Sequence, residues 1–153
     1  MTPTPTATPR PPPVISLDAP TSAVSGSYFT VRVEVSRVAD FDAAQFDISF
    51  DHTVLTIDDI SAGADITDGT IDQTTIPVAV INQLSPGTVR VVLNVPAFPG
   101  VTGAGTLADL RFHAIGADGT SSAIELSEVV LVDKTARLIP STVEGAVTVE
   151  VGR

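Results

Sequence analysis

Nucleophilic catalysis needs a Ser, Cys or Thr held beside a base, together with a group that orients the base. The chain contains two histidines, His52 and His113, and no cysteine. His52 lies in a predicted turn, and His113 lies on the polar side of a predicted strand. No G-x-S-x-G sequence is present, and the stretch Ser25–Ser27 is predicted to be a loop between strands. We therefore expect no Ser-His-Asp site and no thiolate chemistry.

An acidic stretch offers carboxylates for two other kinds of chemistry. Its members are Asp58, Asp59, Asp65, Asp68 and Asp72. Paired carboxylates hydrolyse glycosides when one acid has a raised pKa, and the surrounding cleft would need aromatic rings, but the chain has one Tyr and no Trp. Calcium takes about six to eight oxygen ligands, yet the stretch lacks the D-x-D-x-D-G spacing that would supply them. We expect a solvated acidic loop over residues 58–72, no enzyme and no cofactor; calcium has no specific motif in its favour.

The charge balance excludes several classes of partner. Eighteen acidic and eight basic residues give a net charge of −10. A nucleic-acid surface requires a basic stripe, whereas Lys134 is the single lysine and the arginines are scattered. The same acidity disfavours an anionic membrane surface, and no apolar run approaches the roughly 20 residues that cross a bilayer. We expect neither a nucleic-acid nor a membrane partner.

The first thirteen residues differ in composition from the rest of the chain. They alternate Thr and Pro, which favours extended polyproline geometry. At about 3.1 Å per residue such a tract reaches roughly 40 Å. Tracts of this kind beside a β domain are typical of secreted multi-module chains. We predict a Pro/Thr-rich linker over residues 1–13, one domain over residues 14–153, and an extracellular or cell-surface location.

From Val14 onward, short apolar runs alternate with turn residues about every 8 to 12 positions. Apolar and polar residues alternate strictly in Phe29–Val35 and in Ala44–Phe50, as in half-buried strands. The apolar residues, 43% of the chain, are mostly Val, Ile, Leu and Ala, and only 5% of residues are aromatic. This composition favours sheet over helix. The pattern predicts an all-β fold, an antiparallel β-sandwich of about nine strands.

One predicted hairpin indicates a binding face. Residues 77–83 and 88–95 flank Leu84–Gly87, which predicts a connection of four residues. Pairing Gln83 with Thr88 places the following side chains on the outer face: Ala79, Ile81, Arg90, Val92 and Asn94. This set is more apolar than solubility requires, and Val129–Val132 has no polar alternation. We predict a protein-binding face with a weakly apolar centre and a polar rim; the alternative, that the chain's own loops cover these side chains, stays open.

Residues 41–57, FDAAQFDISFDHTVLTI, resemble the central strand and following turn of cohesin domains. The spacing from Ala23–Ser27 into the strand at Thr30–Val35 fits the same family, as does Gly105–Phe112 followed by Glu144–Val149. The similarity extends over about residues 14–151 and lies in an ordered pattern of apolar positions and turns. It implies a nine-stranded jelly-roll sandwich, no catalysis, and a receptor for a dockerin module that carries the calcium itself.

The resemblance also implies which side chains meet the partner. By position they are Ala43, Gln45, Asp47 and Ser49 on the central strand, Arg90, Val92 and Asn94 on the hairpin, and Leu131 and Asp133 near the end of a neighbouring strand. Ala43 and Gln45 stand where many cellulosomal cohesins carry Asn and Asp. This departure leaves open a cohesin-like domain with a partner other than a dockerin.

Three functions are therefore weighed. The first is a non-catalytic, scaffoldin-type binding module of a secreted protein, which docks a dockerin or another protein. The second is a building block of a surface layer or filament, which assembles through the Pro/Thr segment or an open sheet edge. The third is a carbohydrate-binding module. It has little support, because sugars stack on exposed aromatic rings and Tyr28 is the one candidate for such a ring.

Overall fold

The computed structural model describes residues 12–61, 63–95, 100–144 and 146–152. Every regular element among them is a strand, so the prediction of an all-β fold is confirmed. Four strands have only two or three residues, which brings the number above the nine or so expected. Within the described ranges, no helix is long and apolar enough to cross a membrane. The strands are β1 (Val14–Asp18), β2 (Ser22–Val24), β3 (Tyr28–Phe50), β4 (Leu55–Thr56), β5 (Ile66–Ile71), β6 (Thr74–Ile76), β7 (Val78–Ser85), β8 (Thr88–Asn94), β9 (Val101–Ala114), β10 (Ser121–Asp133), β11 (Thr142–Glu144) and β12 (Ala146–Gly152).

Strand β3 organises the molecule because its two halves pair with different neighbours. The first half pairs with β1 and β9, and the second half pairs with β8 and β10. Between them the register with β9 shifts on both sides of Val38, and Asp40 has a φ of 55°. The sequence predicts two strands here, but the structure has one continuous bent strand, because Val38 and Phe41 keep ladder partners on β9.

The bend in β3 divides one continuous hydrogen-bonded sheet into two layers. We call the run β7-β8-β3-β10-β12-β2, which uses the second half of β3, the front layer. The back layer is β11-β1-β3-β9-β5-β6, which uses the first half of β3, with β4 paired to β9. The inward side chains of both layers form one apolar core. Burying each such Val, Ile, Leu or Phe contributes about 1.5–3 kcal/mol to folding.

Aromatic rings connect the two layers inside this core. Phe50 of the front layer meets Phe112 of the back layer edge-to-face, with ring centroids 5.1 Å apart. Phe41, Phe46 and Phe112 are fully buried. These phenylalanines therefore stabilise the sandwich and are not available to stack on a ligand.

Part of the stretch predicted as an acidic loop is strand β5, which pairs with β9. Ile66 and Ile71 are fully buried, but Asp68 and Gly69 between them hide the strand pattern in the sequence. A Cβ at Gly69 would collide with the backbone of Thr106 and Leu107, so glycine permits this approach of β5 to β9. The loop prediction is therefore wrong for residues 66–71.

The β7–β8 hairpin differs from its predicted register. Val78 opposes Leu93, but Val80 opposes Val92, so Ala79 is an extra residue in a β-bulge. Beyond the bulge, Val80 shares the outer face with Val92, while Ile81 opposes buried Val91 and packs against the core.

The predicted placement of Ile81 on the outer face, opposite Arg90, is consequently wrong. The connection is also shorter than the predicted four residues, because β7 extends to Ser85 and leaves only Pro86 and Gly87 between the strands. Gly87 has a φ of 83°, which suits the position after Pro in a tight turn.

Candidate partner-binding face

The outer side of the front layer, which we call the front face, brings together residues from separate parts of the chain. On β3, Ala44, Phe46 and Ile48 point into the core, which leaves the alternate residues to face outward. Strand β8 pairs with β3 in a register that sets Val92 against Gln45 and Arg90 against Asp47. The front face thus contains seven of the predicted site residues: Ala43, Gln45, Asp47, Ser49, Arg90, Val92 and Asn94.

A row of three valines, with Gln45 between two of them, crosses the front face, and we call it the valine row. Val80, Val92, Gln45 and Val130 are consecutive cross-strand neighbours on β7, β8, β3 and β10. Val80 is 46% exposed and Val130 is 38% exposed, so no loop covers the two ends of the row. With strands about 4.8 Å apart, the row is roughly 14 Å wide. The sequence missed Val80 and Val130 because a bulge changes the facing of each strand just before them.

The structure corrects the predicted role of Leu131. Leu131 opposes Ala44, is 1% exposed and belongs to the core. The β3–β10 register shifts between Ser127 and Val130. Because of this bulge, Val130 and Val132 take the outward positions that the sequence assigned to Leu131 and its neighbours.

Asp133 ends β10 and organises the turn that follows. Its Oδ1 accepts hydrogen bonds from the backbone N–H of Thr135 (2.9 Å), the Thr135 hydroxyl (2.7 Å) and the backbone N–H of Arg137 (3.0 Å). These bonds, the Thr135 hydroxyl first, lower the pKa of Asp133 below its ordinary value. The carboxylate is thus already engaged within the chain, and a turn cap explains its position.

A bidentate ion pair occupies the centre of the front face. Arg90 donates from Nε to Asp47 Oδ1 at 2.7 Å and from Nη2 to Asp47 Oδ2 at 3.0 Å. Asp47 points outward but is only 5% exposed. Its hydrogen bonds raise the pKa of Arg90 above the ordinary arginine value. Two parallel hydrogen bonds therefore fix the orientation of both side chains. The pair lies between the valine row and Ser49 on the front face.

Glu128 lies in the bulge of β10 with a φ of 50°, a left-handed backbone conformation unusual for glutamate. Its side chain is exposed, and its negative charge also raises the pKa of Arg90. Arg90 is therefore held by Asp47 through two hydrogen bonds, while the charge of Glu128 adds a smaller electrostatic effect.

The outer side of the back layer, the back face, carries a polar cluster around the one tyrosine. The Tyr28 ring stacks on His113 with centroids 4.3 Å apart, and the Arg111 guanidinium carbon lies 4.0 Å from the centroid of the same ring. The Tyr28 hydroxyl donates to Asp58 at 2.8 Å, and Arg111 pairs with Asp65 at 3.6 Å. The ring is already engaged within the chain, which argues against a sugar-stacking role.

The carboxylates of the acidic stretch bind backbone groups of the chain itself. In the ranges that the structure describes, no three His, Cys, Asp or Glu side chains approach closely enough to hold a metal ion. Instead, Asp65 accepts a hydrogen bond from the backbone N–H of Asp59 at 2.8 Å, and Asp68 accepts one from the N–H of Val78 at 2.8 Å. These carboxylates fasten one segment of backbone to another.

Comparisons with known proteins agree with this architecture. A family model described as the cohesin domain matches residues 13–149. No curated protein matched the chain. Among solved structures, a non-cellulosomal cohesin from the archaeon Archaeoglobus fulgidus is 16% identical with a TM-score of 0.69, covering 94% of this chain and 93% of its own.

Two further solved structures match the chain over a similar length. A type II cohesin domain from Acetivibrio cellulolyticus is 18% identical with a TM-score of 0.68, covering 91% of this chain and 95% of its own. The type I cohesin–dockerin complex from Clostridium thermocellum matches at 12% identity and a TM-score of 0.61, covering 91% of this chain and 92% of that one. The fold is thus the jelly-roll β-sandwich of these modules, and the chain belongs to the cohesin domain family.

Proposed function

We propose that this chain is a non-catalytic, extracellular receptor module whose front face docks a dockerin-type partner. The observation that carries the proposal is the valine row, whose two ends are exposed and which crosses four strands of one layer. Exposed apolar side chains that lie close together mark interaction sites more often than scattered ones do. The solved cohesin–dockerin complex supports a dockerin as the partner.

The dimensions of the row suit a helix. An α-helix with its side chains is about 10–12 Å across, and the row is roughly 14 Å wide, so one helix lying along the strands would cover most of it. Gln45 is the polar member of the row itself. The side chains that flank the row are also polar: Asn82 on β7, Asn94 on β8 and Ser49 on β3. Such a rim supplies hydrogen bonds that fix the orientation of the partner.

The location proposed for this module rests on its first thirteen residues. Their Thr/Pro alternation is typical of linkers in secreted multi-module proteins, which fits a domain that gathers separate modules into one complex. The proposal gives His113 no catalytic role: its ring stacks on Tyr28 and lies near Asp58 on the back face, away from the proposed docking surface.

Calorimetric titration of the chain with calcium-loaded type I and type II dockerin modules tests the proposal. We expect one class to bind, and we expect Val80→Asp and Val130→Asp each to weaken binding by about 100-fold, because a carboxylate would be buried unpaired in the contact.

Val24→Asp is the matched control. Val24 is 53% exposed on β2, at the far edge of the front layer, so the same substitution there should leave the affinity unchanged. Equal affinities for the wild type and both row variants, with all variants folded, would refute the front face as the docking surface.

A second function, self-assembly through a sheet edge, is favoured by one observation. Strand β7 pairs with β8 alone, has eight residues and contains no charged side chain, whereas the outermost strands β2, β6 and β11 have three residues each. Long uncharged edges are prone to pair with other chains.

Light scattering after size exclusion, at increasing protein concentration, tests this second function. Assembly would give a rising mass in the wild type and a monomer in Asn82→Lys, with Thr75→Lys on the short β6 edge as the control. A monomer at every concentration would discard self-assembly.

A further inference from the structure

An apolar groove opens at the end of the sandwich where strand β3 bends. It has a volume of about 570 Å³ and is lined by residues 12–14, 36–39 and 139–140. Apart from Ser36 and Arg37, the lining side chains are apolar. Binding pockets in proteins have volumes of roughly 300–1,000 Å³ and mostly apolar linings. The groove uses β3 before Phe41 and therefore lies outside the front layer.

Two hydrogen bonds fix how the chain reaches this groove. Pro13 is buried, and its carbonyl accepts a hydrogen bond from the N–H of Thr142 on β11 at 2.9 Å. The N–H of Val14 donates to the Ser36 hydroxyl at 2.8 Å. The start of β1 is thus held between β11 and the bend of β3, so the chain enters the domain along the groove in one direction.

The tract before the groove suits it in shape. Residues 1–11 lie outside the described ranges, and they join the groove wall at Pro12, which is exposed. Proline-rich segments favour the polyproline helix, which has three residues per turn, so Pro9 repeats the position of Pro12 about 9 Å further on. Arg10 takes a different face of this helix from Pro9, which lets its guanidinium stay in water.

The hydrogen-bonding groups of the tract and the groove are also complementary. Proline has a carbonyl but no N–H, so a proline-rich tract offers mainly acceptors. Arg37 in the groove wall offers only donors and is exposed, and none of the ion pairs in the described ranges involves it. The tract has no acidic residue. Its backbone carbonyls are therefore the acceptors that the Arg37 guanidinium would meet.

We propose that residues 8–11 of the Thr/Pro tract dock in this groove, with Pro9 against Ala39 and Ile139. A polyproline helix is already formed before docking and loses little conformational entropy, which allows a short contact to hold. Only residues 1–7 then act as a spacer, and at about 3.1 Å per residue they reach roughly 22 Å. The linker leaves the domain in one fixed direction, whether or not a partner occupies the front face.

Nuclear magnetic resonance on the full chain, without any partner, tests the proposal. Prolines have no N–H, so the amides of Thr8 and Arg10 report on the docked segment. We expect order parameters of about 0.85 for both amides, as in rigid backbone, and nuclear Overhauser contacts from the Pro9 ring to the methyl groups of Ala39 and Ile139. Order parameters below about 0.6 at both amides, or the absence of these contacts, would overturn the proposal.

Matched substitutions test whether the groove and the proline ring order the tract. Ala39→Asp places a charge on the apolar wall, and Pro9→Ser removes the ring, so each should lower both order parameters below about 0.6. Ala146→Asp, at an exposed alanine on β12, and Pro3→Ser, six residues earlier in the tract, should leave them unchanged. Melting curves check the fold of each variant, and Pro9→Ser decides if Ala39→Asp does not fold. An equally ordered tract in Pro9→Ser would overturn the proposal.

A mixed sample distinguishes the chain's own tract from that of a second copy. Isotope-labelled and unlabelled chains are combined, and contacts between the two kinds of chain are selected. We expect the contacts of Pro9 to arise within one chain and both order parameters to stay constant on dilution. Contacts that arise only between chains would overturn the proposal in favour of a tract exchanged between copies.

Discussion

The two outer faces of the sandwich differ in the charged pairs that they carry. On the back face, Arg32 lies 3.9 Å from Asp109 and Arg111 lies 3.6 Å from Asp65, and the His113 ring lies 3.2 Å from Asp58. On the front face, as far as the structure describes it, the pair Arg90 with Asp47 lies beside exposed valines. The back face carries several such pairs, although the buried Oδ1 of Asp109 has no hydrogen-bond partner among the described residues, whereas the front face leaves apolar side chains exposed.

The ion pairs of the two faces also differ in burial. Arg90 is one-third exposed and lies 2.7 Å from Asp47, whereas Arg32 and Arg111 are more than half exposed and lie 3.9 Å and 3.6 Å from their carboxylates. Exposed pairs contribute little to stability, because water and salt screen them, while a buried charge that loses its partner is strongly destabilising. The same chemistry is thus a surface feature on the back face and a structural element on the front face.

Removing the cation from each face tests this difference, and we expect it to give the largest stability change among the predictions below. Arg90→Ala leaves the Asp47 carboxylate buried without its partner, so we expect the melting temperature to fall by about 5 °C or more. Arg111→Ala removes an exposed partner 3.6 Å away, and Asp65 keeps its hydrogen bond from the Asp59 N–H, so the melting temperature should fall by less than about 2 °C. Thermal unfolding followed by circular dichroism measures both.

A double variant distinguishes a lost pair from lost packing. If the unpaired charge is the cause, Asp47→Ala combined with Arg90→Ala should recover part of the stability that Arg90→Ala removes. Equal losses for Arg90→Ala and Arg111→Ala would show that the two faces do not differ in this respect.

The faces also differ in how well the sequence predicts them. Strict alternation fixes the facing of Ala43 to Ser49 on β3, and the β8 residues Arg90, Val92 and Asn94 follow the same period. The predictions fail on β7 and β10, where bulges at Ala79 and at Glu128 reverse the facing of Ile81 and Leu131. A bulge depends on the partner strand, so nothing in the local pattern of apolar residues indicates it.

The sequence did not predict the polar cluster around Tyr28 on the back face, for a different reason. Tyr28, Asp58 and His113 come from β3, a loop and β9, and only the paired register of β3 with β9 places Tyr28 against His113. Strand β5 was missed because Gly69 and Asp68 interrupt its apolar pattern, and its pairing with β9 decides the structure. Local chemistry predicted the layers, while long-range pairing determined which side chains meet.

The next largest effect that we expect is a loss of stability in acid, which comes from carboxylates in the loops beside both faces. Hydrogen bonds lower the pKa of Asp59, mainly from Ser61, in the loop that supplies the back face, and that of Asp133, mainly from Thr135, in the turn beside the front face. A lowered carboxyl pKa in the folded state adds stability above the unfolded pKa of about 3.9, and this stability is lost as the pH falls through the folded pKa.

We therefore expect the melting temperature to decline below about pH 4, and the decline to be shallower in Asp133→Asn than in the wild type. Melting curves from pH 2 to pH 7 measure this. Parallel declines in the wild type and in Asp133→Asn would show that the turn carboxylate does not contribute to acid sensitivity.

The smallest expected effect concerns the back face alone, and the chain has a natural reporter for it. Tyr28 is the one tyrosine and there is no tryptophan, so ultraviolet absorbance at alkaline pH follows a single group. The hydrogen bond to Asp58, more than partial burial, raises the pKa of Tyr28 above its ordinary value of 10.0. Because the raised pKa belongs to the folded state, this bond adds stability below the unfolded pKa and loses its effect as the pH rises through the folded pKa.

The absorbance titration should therefore have its midpoint above pH 10 in the wild type and closer to 10 in Asp58→Asn. Val130→Asp on the front face should titrate like the wild type, because its new charge lies on the opposite layer. A midpoint that does not move in Asp58→Asn would show that the Tyr28 hydroxyl is not held by this carboxylate. The back face would then have a free phenol, and its contrast with the front face would be weaker.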